Sequence, residues 1–197
     1  MYSAIGAVYP YRQQEWTEYT AFLESGCDAA LFVGMHAMAG AADGVLSYTV
    51  SGQAWQNLRF NGTPVGETGI NAALCGQWGV PVLLVTGDRA VCSEGRELLG
   101  DGLTTVEVKE GLGRFSARIK TPQRARDLIE QGAKKALSDL SAVEPYDPGR
   151  PSEIEIDFTS PDRLQEYANR KGVDVTGSRS IVVRGDDWWS AWQGFFF

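Results

Sequence analysis

Residues 79–88 read Gly-Val-Pro-Val-Leu-Leu-Val-Thr-Gly-Asp, a short apolar run closed by Gly87 and Asp88. With no polar residue alternating into it, the run predicts a strand covered on both faces, the mark of a parallel sheet between helices. Ala29-Ala30-Leu31-Phe32-Val33-Gly34 has the same form. Residues 67–78 place Ile70, Ala73, Leu74 and Trp78 at helical spacing, and a further helix over 93–99 precedes a strand over 104–109. Thr121-Pro122 opens the clearest helix: threonine caps it, proline takes the first turn, and Ala125, Leu128, Ile129, Ala136, Leu137 and Leu140 form its apolar stripe. Strands alternating with helices predict an α/β fold, a layered sandwich with a mainly parallel sheet.

Between the two buried runs lies Leu58-Arg59-Phe60-Asn61-Gly62-Thr63-Pro64-Val65. Asn-Gly satisfies the two positive φ angles of a tight turn, so a protruding β-hairpin is expected here. Further on, three prolines crowd residues 143–151. This connection divides an α/β core (1–142) from a smaller C-terminal α+β portion (152–197), with strands expected over 154–158 and 180–184 and a helix over 161–170. The last helix, capped by Asp186 or Asp187, carries Trp188, Trp189, Trp192, Phe195 and Phe196 on one wide face. That face suits either a helix closing its own core or a subunit interface.

Composition narrows the function. The chain has 197 residues, 18 Lys+Arg against 25 Asp+Glu and a net charge of −7, which disfavours a nucleic-acid groove. No apolar run reaches the roughly 18–20 residues that span a bilayer. The opening residues lack the basic n-region of a secretory signal. Cys27, Cys75 and Cys92 form no C-x-x-C pair and fit thiols in a reducing cytoplasm. A single histidine means that a His-rich zinc site cannot be completed by this chain alone.

That histidine, His36, follows the glycine that ends a predicted strand, where ligands gather in parallel sheets. By spacing alone it reads as a hydrogen-bonded structural residue or as a metal ligand. Glu67 opens its helix, where a carboxylate complements the dipole; the flanking Gly66 and Gly69 also suggest a crowded backbone. Asp88 is expected on the same sheet edge, with Ser47, Tyr48, Asn71, Lys109 and Arg114 as further polar candidates.

Five stretches together carry a family resemblance: Leu-Phe-Val-Gly-Met-His-Ala (31–37), Gly-Val-Leu-Ser-Tyr (44–48), Asn-Gly-Thr-Pro-Val-Gly-Glu-Thr-Gly-Ile-Asn-Ala (61–72), residues 79–88, and Val-Lys-Glu-Gly-Leu-Gly-Arg-Phe-Ser-Ala (108–117). In order and spacing the sequence resembles the zinc D-aminopeptidases encoded with dipeptide-transport genes, the DppA type. The resemblance implies a two-zinc hydrolytic centre acting on short peptides with an amino-terminal D-residue. Carried over residue by residue, it makes His36 and Glu67 zinc ligands. Beside these, Tyr48 and Ser47 are the candidate catalytic residues, and Asn71, Asp88, Lys109 and Arg114 are candidates for binding substrate.

The departures shape the remaining expectations. The family's opening Asp-x-Glu-Gly and a further zinc histidine have no counterpart here, and Tyr48 stands where the family has its catalytic histidine. A phenol, which titrates near pH ~10 in free form, is a poor general base but a competent hydrogen-bond donor to an oxyanion. One expectation is therefore a subunit of a homo- or hetero-oligomeric metallohydrolase, its absent ligands supplied by a second subunit carrying the amino-terminal part. The others are a non-catalytic structural or binding subunit, and a hydrolase with altered chemistry at Ser47, Tyr48 or Cys75.

Overall fold

The structure is a computed structural model that describes Thr20 and residues 22–196. The expectation about the opening residues, and Phe197, lie outside these described residues.

One sheet has the order β1-β4-β5-β6. Strands β1 (Ala30–Met35), β4 (Val82–Asp88) and β5 (Thr104–Gly113) run parallel, and β6 (Ser116–Ile119) returns antiparallel to β5. Every residue of the central β4 is buried, as its unbroken apolar run requires. Helices α2 (Arg89–Leu99) and α3 (Pro122–Ala136) cover this sheet, Thr121 capping α3 through its side chain. The stripe expected to reach Leu140 ends sooner: Leu137 is the C-cap and Leu140 lies beyond the helix, exposed.

The second sheet is antiparallel, with the order β3-β2-β7-β9-β8. It comprises β2 (Trp55–Phe60), β3 (Thr63–Pro64), β7 (Ser152–Phe158), β8 (Val173–Val175) and β9 (Ser180–Gly185). Strands β2 and β3 form the expected hairpin, with Asn61 at φ 47° and Gly62 at φ 81°. Strand β2 also pairs with β7, so the C-terminal portion extends the sheet begun by the hairpin. Asn61 locks the two together, accepting from Glu153 N at 2.7 Å and donating to Pro148 O at 2.9 Å. Burial alternates along β7, so one face of this sheet is covered.

Helix α1 (Glu67–Gln77) lies where the two cores meet. Its Ile70, Ala73 and Leu74 pack with the antiparallel sheet, and its Ala72 and Cys75 with the parallel one. A helix buried on two sides must be rich in small and apolar residues, which is how residues 67–77 read. Helix α4 (Pro161–Gln165) is shorter than the expected 161–170, giving way to turns. In α5 (Trp188–Phe196), Trp188, Trp192 and Phe195 are buried against Trp55, Phe60 and the antiparallel sheet, closing the chain's own core. Cys75 and Cys92 are buried free thiols, whereas Cys27 is exposed.

Candidate active site

The loop leaving the carboxyl end of β1 carries His36, Ser47 and Tyr48, and the amino end of α1 brings Glu67 to it. His36 Nε2 and Glu67 Oε2 stand 3.4 Å apart. Gly66 permits the approach: a Cβ there would meet Met38 Cβ at 2.8 Å and Met38 Cα at 3.0 Å. The crowded backbone expected around Glu67 is thus the crossing of the histidine loop itself.

The tautomer of His36 follows from its other nitrogen. Nδ1 lies 3.1 Å from Ala37 O, which can only accept, so Nδ1 carries the proton. Neutral His36 then turns its Nε2 lone pair toward a carboxylate oxygen, an arrangement that needs a cation between or beside the two groups. Without a metal the cation is a proton. The contact with Glu67 holds the imidazole above its ordinary value despite burial. Burial pushes the Glu67 carboxyl up, but the His36 contact and the Val50 amide outweigh it and hold the group low.

The same geometry suits zinc. Two ligands at about 2.0–2.1 Å on adjacent corners of a tetrahedron stand about 3.3–3.4 Å apart. Imidazole Nε2, oriented by an Nδ1–H bond to a carbonyl, and carboxylate are both ordinary zinc donors. No third His, Cys, Asp or Glu joins them among the described residues. The chain therefore presents a fitting pair of donors within an incomplete set.

The loop around this pair is pinned by carboxylates. Val50 N donates to Glu67 Oε1 at 3.0 Å, Val45 N to Asp88 Oδ2 at 2.7 Å, and Met38 N to Glu94 Oε1 at 2.7 Å. Leu46 and Val50 hold φ angles of 53° and 57°, a region that costs a side-chain-bearing residue about 1–3 kcal/mol unless its surroundings fix it. At Val50 that conformation accompanies the hydrogen bond its backbone N–H donates to Glu67.

Of the substrate-binding candidates, Asp88 is fully buried. Its second oxygen caps α2 by accepting from Val91 N at 2.9 Å, so backbone amides engage both oxygens. Asn71 lies one turn beyond Glu67 on α1, and Lys109 lies opposite Asp88 on β5. Ser47 is buried with its hydroxyl donating to Ala41 O at 3.2 Å, and Tyr48 stacks on the His36 ring with centroids 4.1 Å apart. Arg114 shares a pocket wall with Ser47 and Tyr48. Burial pushes the Cys75 thiol up to about 12, which leaves no thiolate for altered chemistry there.

Glu94 escaped the sequence reading. A glutamate on an amphipathic helix reads as a solvated face, yet burial drives this carboxyl up to about 7 while it accepts the Met38 amide. Only the fold over it reveals its position.

The site is thus an imidazole–carboxylate pair at the carboxyl edge of a parallel α/β layer. The chain belongs to the D-aminopeptidase family, whose profile matches residues 15–197. It is 32% identical over 166 residues to a D-aminopeptidase of Bacillus subtilis (strain 168), covering 83% of this chain and 59% of that one. It is also similar to the solved structure described as the Zn-dependent D-aminopeptidase DppA from Bacillus subtilis, a self-compartmentalizing protease. There the TM-score is 0.79 at 30% identity, over 86% of this chain and 61% of the other. The chain thus spans about three-fifths of the length of the relatives it matches.

Proposed function

We propose that this chain is the subunit of a zinc-dependent D-aminopeptidase that contributes His36 and Glu67 as metal donors, the remaining donors coming from a second subunit. The observation that carries this reading is the imidazole Nε2 and carboxylate Oε2 set 3.4 Å apart, in a member of the D-aminopeptidase family. The substrate is a short peptide with an amino-terminal D-residue, cleaved at its first amide bond. Zinc held there would supply Lewis acidity toward the scissile carbonyl and lower the pKa of water.

The chain's own groups do the positioning. Ala37 O fixes the imidazole tautomer, and Tyr48 holds the ring by stacking on it. The Tyr48 phenol then donates a hydrogen bond to the carbonyl oxygen as negative charge grows on it, a contribution typical of oxyanion donors. The relative's description as self-compartmentalizing supports an oligomer, and the free thiols support a reducing compartment such as the cytoplasm. Tyr48, in place of the histidine the family resemblance leads one to expect, favours a second reading: a non-catalytic subunit that retains the fold.

The test is hydrolysis of D-alanylglycine by the complex purified from its native source with a tag on this chain. Zinc-dependent cleavage that is abolished by a chelator and by His36→Ala supports the peptidase. Absence of cleavage leaves the non-catalytic subunit.

A further inference from the structure

Beside the donor pair lies a pocket of ≈ 330 Å³ walled by Ala39, Ala41, Ser47, Tyr48, Gly52 and Arg114. Tyr48 is shared between the two sites, since its ring both lines this pocket and stacks on His36. The pocket's cation is held in place on several sides. Arg114 Nε donates to Ser47 O at 3.1 Å, and Arg114 O accepts from Leu46 N at 2.8 Å. The guanidinium also lies 5.2 Å from the Phe115 ring centroid. Gly52 leaves room for it, because a Cβ there would meet Arg114 Nη2 at 3.2 Å and Tyr48 Cβ at 3.4 Å.

What this guanidinium lacks is an anion. Arg114 has no carboxylate ion pair among the described residues, a state it shares with Arg124, Arg126, Arg170 and Arg179, but of these five it alone lies on the wall of this pocket. A planar donor fork at the wall of a small polar pocket matches a carboxylate. A pocket near the small end of the usual range for ligand sites suits a ligand of two or three residues.

We propose that Arg114 receives the free C-terminal carboxylate of the substrate, restricting the site to di- and tripeptides with a small residue beside that carboxylate. The inference rests on the peptidase reading above and deepens it. With the carboxylate anchored at Arg114 and the metal donors beyond Tyr48, the peptide spans the Tyr48 ring. At about 3.3–3.6 Å per extended residue, chain length then decides which amide bond reaches His36 and Glu67.

Calorimetric titration of the full chain without added metal, using D-alanylglycine and its C-terminal amide, separates this inference from the peptidase reading. The acid is expected to bind at least about tenfold more tightly than the amide, the usual scale for one charge-assisted contact. Arg114→Gln should abolish the difference, and Arg114→Lys should restore part of it. A merely structural arginine would weaken acid and amide alike. Equal binding of the two ligands, binding of neither, or an undiminished preference in Arg114→Gln would overturn the proposal. A preference for the acid in a chain whose native complex cleaves nothing would support the carboxylate site while removing the peptidase reading.

Discussion

His36 Nε2 faces Glu67 Oε2 across 3.4 Å, although a loop, a hairpin and the start of a helix separate the two residues in the chain. The loop crosses so closely over Gly66 that a methyl group there would press on the Met38 backbone. Gly66→Ala should therefore displace the histidine loop and lower zinc affinity about 10- to 100-fold, the range seen when support around a ligand is lost. Competition with a chromophoric chelator measures it; an unchanged affinity would show that the crossing does not set the pair's geometry.

Tyr48 should act through its hydroxyl. Tyr48→Phe retains the ring stacked on His36 and is expected to lower kcat for D-peptide hydrolysis by the native complex about 10²-fold, with KM little changed. Steady-state kinetics decide this, and an unaltered kcat would reduce Tyr48 to a packing role. Tyr48→His should raise hydrolysis by supplying an imidazole base.

Much of this was legible in the sequence. The unbroken run of β4, the Asn61-Gly62 turn and the Thr121-Pro122 cap each have a local physical cause, and each appears in the fold. The pairing of β2 with β7 was not legible, because register between distant strands leaves no local signature. His36 and Glu67 were singled out by motif context. Asp88 was expected on the same sheet edge as a substrate-binding group; its engagement with the Val45 and Val91 amides could not be read from sequence. Glu94 was invisible for a similar reason: its burial is created by the loop folded over it.

Glu94 should make stability depend on pH. Burial raises its carboxyl from the ordinary 4.5 to about 7, with Asp88 and Glu97 reinforcing the shift and the Met38 amide and His36 opposing it. The folded state thus binds the Glu94 proton more tightly than the unfolded chain. Its contribution is fully present below about pH 4.5 and is lost as pH rises through about 7. Relative to Glu94→Gln, the wild-type chain should lose about 2 kcal/mol across that window, after allowance for solvent screening. Urea unfolding at several pH values tests this, and parallel curves for the two proteins would refute it.

Asp88→Ala removes the cap of α2 and leaves the Val45 amide without its acceptor. From ordinary cap and buried-donor costs the loss should be about 2–4 kcal/mol, read as a lower urea midpoint. A change under about 0.5 kcal/mol, the range of an ordinary surface substitution, would contradict the role of Asp88 as anchor.

The central claim is that His36 and Glu67 are zinc donors, and zinc stoichiometry of the native complex tests it most directly. Elemental analysis of complexes purified through wild-type, His36→Ala and Glu67→Ala chains should find zinc in the first and a clear loss in each variant, with assembly retained. Equal zinc in all three, or none in the wild type, would contradict the account.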